Sequence, residues 1–120
     1  MIEQIGIITE DVIQILGLNI PANTPVFIGD SNYSHMERAH PDEFYLYGDR
    51  IDLIIRKPDY IGLSPSDGSI EYIKEFRTNN DLIKLAVRVS PSGDYYARTL
   101  YAINSKHIEN AIQKGYLFKI

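Results

Sequence analysis

Two of the three histidines fall within six residues, in the run Asn32-Tyr33-Ser34-His35-Met36-Glu37-Arg38-Ala39-His40-Pro41, with an arginine between them. Imidazole changes charge near neutral pH. A pair of histidines beside a cation therefore suits acid/base chemistry on a phosphate-bearing substrate. Were residues 35 to 40 one continuous helix, the two rings would diverge by about 140°, while Met36 and His40 would share a face, as would His35 and Arg38. Proline disfavours helical geometry in the residue before it, so the chain is expected to bend at His40 and bring that ring to the mouth of the next helix. That position suits a general base, with His35 or another group as acid and Arg38 meeting a phosphate beside His35. A hydrogen-bonded structural histidine and a solvated arginine fit the same residues.

The groups that would complete such a site lie downstream. Ile83, Leu85, Val87 and Val89 alternate with Lys84, Ala86, Arg88 and Ser90, as in a strand with one wet face. Pro91-Ser92-Gly93-Asp94 reads as a turn into a second strand, Tyr95 to Ile103, rich in tyrosine and threonine. A symmetric turn sets Ser90 opposite Tyr95, Arg88 opposite Ala97, Ala86 opposite Thr99 and Lys84 opposite Tyr101. Lys84, Arg88, Thr99 and Tyr101 would then offer two cations and two hydroxyls to one anion, with Arg98 on the other face. This parity requires an uninterrupted ladder, because a bulge reverses it. An ordinary solvated sheet face has the same alternation.

The remaining elements must hold these two segments together. Thr9-Glu10-Asp11 reads as a helix start closed at Gly17, and Val26-Phe27-Ile28 as a short strand ended by the turn-forming Gly29-Asp30-Ser31-Asn32. Pro41-Asp42-Glu43 opens a helix whose apolar stripe, Phe44, Tyr47, Ile51, Ile54 and Ile55, is interrupted at Gly48 and stopped by Pro58. Tyr60 to Leu63 and Ser69 to Phe76 read as a hairpin. Ser105 is expected to cap a last helix running towards Lys114, with Tyr116-Leu117-Phe118 a closing strand or packed tail. His107, on that helix, reads as solvated, and Asp49 with Asp52 as a polar helix face.

Composition narrows the function classes. The 120 residues, 44% hydrophobic and 23% charged, suit one domain spanning residues 1–120. With no apolar run of the roughly 20 residues a membrane span needs and no basic flank at Met1-Ile2-Glu3-Gln4, a cytoplasmic protein is expected. The absence of cysteine removes disulfides, thiolate nucleophiles and cysteine-ligated zinc. There is no HExxH helix, glycine-rich phosphate loop or GxSxG elbow, so neither a metal nor a cofactor is expected. A net charge of −4 argues against broad attraction to nucleic acid, and any RNA contact must be local.

The succession HMERAHP, an apolar helix ending in KPDYIG, then LAVRV and YARTLYAI, resembles the phage-type nuclease families grouped with barnase, EndoU, tRNA-cleaving colicins and RelE. The resemblance covers about residues 33 to 103 and leaves residues 1 to 32 unmatched. It implies an α+β fold, with amino-terminal helices packed on a roughly four-stranded antiparallel sheet whose other face holds RNA. Carried over by position, it implies His35, His40, Thr99 and Tyr101 as catalytic residues and, more weakly, Lys84 and Arg88 as substrate contacts. The implied activity is a metal-independent endoribonuclease that attacks phosphorus with a ribose 2′-hydroxyl, and an immunity or antitoxin protein is the implied partner. The alternative is a non-catalytic RNA-binding or protein-interaction module of a prophage or toxin system with the same fold.

Overall fold

A computed structural model describes residues 1–120 as a mixed α+β fold in the order β1(Ile2–Ile8), α1(Glu10–Leu16), β2(Thr24–Gly29), α2(Asp30–Ala39), α3(Pro41–Tyr47), α4(Ile51–Arg56), β3(Tyr60–Leu63), β4(Ile70–Phe76), β5(Asp81–Val89), β6(Tyr95–Ile103), α5(Ser105–Gln113) and β7(Leu117–Lys119). The sheet has seven strands, ordered β1-β2-β6-β5-β4-β3-β7, and every pairing is antiparallel except the short parallel contact of β2 with β6. This corrects the expected four-stranded sheet under amino-terminal helices. The four expected strands are its centre, but the chain begins in a strand, and β1, β2 and β7 extend the sheet at both sides. In β1 the register shifts between Gln4 and Gly6, which breaks the alternation that would have marked it as a strand. Gly6 also lets α4 sit close, since a Cβ there would lie 2.9 Å from Ile55 Cγ2.

The local chemistry of the helices explains their boundaries. Thr9 Oγ1 accepts from the Val12 N–H, and Gly17 closes α1 in the left-handed region at φ 68°. The expected turn Gly29-Asp30-Ser31-Asn32 is instead the start of α2, where Asn32 Oδ1 reaches back to accept from the Gly29 N–H at 2.8 Å. Turn-forming and helix-starting residues are the same types, because both use short polar side chains to satisfy free backbone N–H groups. Asn104, not Ser105, caps α5, its Oδ1 accepting from the His107 N–H at 2.8 Å.

One sheet face is dry. Ile8, Val26, Ile28, Ile70, Tyr72, Leu85, Val87, Ala97 and Leu100 join Met36, Tyr47, Ile51, Ile54 and Ile55 of the helices in one buried cluster. Tyr72 is fully buried there and its hydroxyl has no partner. Burial pushes its phenol well above the ordinary range. Removing an orphaned hydroxyl also removes its desolvation cost, so Tyr72→Phe is expected to leave stability unchanged or raise it by about 1 kcal/mol. A urea midpoint below that of the parent protein would contradict this.

The opposite face is only partly covered. Tyr60, Ile73, Lys84 and Tyr101 form one row across β3, β4, β5 and β6, and Gly62, Glu71, Ala86 and Thr99 form the next. A small second cluster of Ile73, Ile108 and Leu117 fixes α5 over one end of this face. Gly62 permits that arrangement, because any Cβ there would run into the Tyr116 backbone carbonyl. No helix is long and apolar enough to cross a membrane.

Candidate active site

The pairing of β5 with β6 sets what this face presents. Lys84 lies opposite Tyr101 and Ala86 opposite Thr99, as expected, but the register then shifts so that Val87 pairs with Ala97 and Arg88 with Tyr96. Arg98 is the extra residue of that bulge. A bulge re-aims the side chain it inserts, and Arg98 accordingly lines a cleft of about 330 Å³ with Arg88, Thr99, His35, Asn32 and Ser69. The expectation that Arg98 points to the other face is thereby corrected.

In this first cleft Arg88 is paired with Asp67. Its Nη1 lies 3.3 Å from Asp67 Oδ2, in an ion pair whose partners are 42% and 43% exposed and which therefore contributes little to stability. The Ser69 backbone N–H, donating to Asp67 Oδ1 at 2.9 Å, is the chief reason the Asp67 carboxyl is held below its ordinary range, with Arg88 a smaller cause. Arg98 makes no ion pair. An arginine, a histidine and a threonine hydroxyl around an open cavity are suited to a phosphate group.

The second cleft, about 410 Å³, lies one row along the same face, between α5, the β3–β4 turn and the sheet. Lys84, only 3% exposed, aims its ammonium into it. Nζ lies 3.2 Å from Glu71 Oε2, 3.2 Å from His107 Nε2 and 5.3 Å from the Tyr101 ring centroid. His107 is exposed, as expected, but its ring is engaged by Lys84, which the helix pattern does not indicate. Burial, then the neighbouring Lys84 charge, hold its imidazole below the ordinary range, while Glu71 opposes them. The pairing register placed Lys84 correctly, but its contact with the helix that follows β5's partner strand leaves no periodic trace.

The two histidines of the run separate, one to the first cleft and the other to Tyr101. α2 ends at Ala39, and His40, at φ −141° and ψ 70°, is at once the C-cap of α2 and the N-cap of α3. The bend expected before Pro41 is therefore present. It turns the His40 ring onto Tyr101, with centroids 5.3 Å apart and planes 25° from parallel. The carboxyl end of one helix meets the amino end of the next at His40, so the macrodipole argument for reading it as the base no longer applies. Tyr47 anchors the far end of α3, donating from its hydroxyl to Asp81 Oδ2 at 2.6 Å and stacking on Phe76. His35 lines the first cleft, and Arg38, exposed on the last turn of α2, lines neither. The four hairpin groups also divide, Arg88 and Thr99 to the first cleft and Lys84 and Tyr101 to the second. No group of three or more histidine, aspartate and glutamate side chains could hold a metal ion.

A family model described as phage-Barnase-EndoU-ColicinE5/D-RelE like nuclease3 matches residues 3–110. The chain belongs to this family. No curated protein and no solved structure matches it. The match of this phage-type nuclease-like chain extends through residues 3 to 32, which the sequence motifs left unmatched, and so takes in β1, α1 and β2. It also reaches His107 in α5. Membership in a nuclease-like family agrees with a polar sheet face that carries cations and imidazoles in open clefts.

Proposed function

We propose that the protein is a metal-independent endoribonuclease that binds RNA across the two clefts and cleaves it by attack of a ribose 2′-hydroxyl on the adjacent phosphorus. The observation that carries this reading is the stack of His40 on Tyr101 beside the buried Lys84 ammonium. It puts a proton-transfer group, a phenol and a fixed cation within one local cluster. His40 supplies one of the two proton transfers, Lys84 stabilises the charged phosphorane, and Tyr101 with Thr99 orients the phosphate. His35, Arg88 and Arg98 hold the chain in the neighbouring cleft. Because Arg98 has no protein anion to satisfy it, Arg98→Ala is expected to raise KM about tenfold with kcat within a few-fold of wild type. An unchanged KM would remove Arg98 from the substrate path.

The net charge of −4 favours a second reading, in which a non-catalytic module uses this face to bind RNA or a protein partner. Purified protein incubated with total RNA and excess chelator, beside the double variant His35→Ala, His40→Ala, separates the two. The endoribonuclease cleaves and the double variant does not. Binding without turnover by the wild-type protein would favour the module.

A further inference from the structure

We infer that His107 is the second proton-transfer residue of the reaction, acting as general base on a ribose 2′-hydroxyl that enters the cleft between α5 and the sheet. This rests on the endoribonuclease reading, and it assigns a catalytic role on an element that the motifs around His40 and the β5–β6 hairpin do not include.

The geometry around Lys84 defines which ring nitrogen is available. An ammonium has three N–H groups and no lone pair. Lys84 directs one to Glu71 Oε2 and one to His107 Nε2, each at 3.2 Å, so Nε2 is the acceptor and a neutral ring carries its proton on Nδ1. The backbone at 107 is fixed by Asn104 Oδ1 through the His107 N–H. The groups facing the imidazole are Glu71 from β4, Lys84 from β5 and Tyr101 from β6, with Lys114 and Tyr116 near the carboxyl end of its own helix. Burial, and after it the Lys84 charge, favour the neutral ring that a base requires, while Glu71 is placed to steady the imidazolium once it forms.

In the reaction, one Lys84 N–H moves from Nε2 to a phosphoryl oxygen and leaves the imidazole lone pair free. Nε2 then takes the proton of the 2′-hydroxyl as its oxygen bonds to phosphorus. The bond from phosphorus to the 5′-oxygen breaks with its electron pair on that oxygen, which receives a proton from the imidazolium of His40. The products are a 2′,3′-cyclic phosphate and a 5′-hydroxyl, and no oxidant, reductant or further reactant is consumed.

The test compares His107→Ala with His107→Gln, whose amide oxygen still accepts from Lys84 but carries no proton. Cleavage of single-stranded RNA in chelator is followed against pH, with amide NMR spectra to verify folding. Both variants are expected to lose about 10²–10³-fold in kcat. The wild-type acidic limb should lie below the ordinary histidine value of 6.5 and be absent from both variants. Activity of the glutamine variant within a few-fold of wild type would make His107 a positioning residue for Lys84 and overturn the assignment, leaving the ribonuclease reading intact. Absence of wild-type cleavage would overturn both. Long-range nitrogen–proton NMR on wild-type protein tests the tautomer without any variant: Nδ1–H is expected, and Nε2–H would contradict the assignment.

Discussion

Lys84→Met is expected to lower kcat for RNA cleavage by about 10²–10³-fold while the protein stays folded. In the proposed reaction the ammonium faces the position where negative charge grows on the phosphorane, and a cation whose side chain is buried and fixed acts more strongly there than one at the surface. Methionine keeps the length and apolar stem of the side chain, so the row Tyr60, Ile73, Lys84, Tyr101 remains filled. Glu71 loses its partner, yet its side chain keeps 15% exposure, and the substitution also removes a buried ammonium that was costly to desolvate. These opposing effects should leave stability within about 2 kcal/mol of wild type. Single-turnover cleavage beside a denaturant curve checks both halves, and a variant that remains folded with kcat near wild type would remove Lys84 from the reaction.

The second large effect is at His40. His40→Ala removes both the ring stacked on Tyr101 and a proton-transfer group, and is expected to lower kcat by about 10²–10⁴-fold. His40→Phe separates these roles, because phenylalanine still stacks on Tyr101 but transfers no proton. Both variants should be equally inactive if acid/base chemistry is the role. Recovery of activity in the phenylalanine variant would reduce His40 to packing.

Much of this arrangement is legible in residue order. The alternation around Leu85 and Val87 identifies the central strand, Thr9 and Gly17 bound the first helix, and the His40-Pro41 step predicts the bend that delivers one histidine to the sheet. What escapes has specific physical causes. The bulge at Arg98 comes from how two strands meet, not from either strand's pattern, and it alone brings that guanidinium beside Arg88. β1 hides behind its own register shift. β2 pairs with β6 only at Val26 with Tyr95 and Phe27 with Tyr96, a parallel contact between segments nearly seventy residues apart. His107 looks solvated along α5, because its partner Lys84 belongs to a different element and the pattern of one helix does not record what packs against it. Residues read as one convergent anion site are accordingly distributed over two clefts.

The chemistry of the cut ends distinguishes attack by the 2′-hydroxyl from attack by water. A defined RNA oligonucleotide incubated with the purified protein in excess chelator should yield 2′,3′-cyclic phosphate and 5′-hydroxyl ends, and a single 2′-deoxy substitution at the cleaved position should abolish that cut. Ends bearing 3′-hydroxyl and 5′-phosphate, cleavage of the deoxy-substituted position, or intact RNA would rule out 2′-hydroxyl attack by this protein.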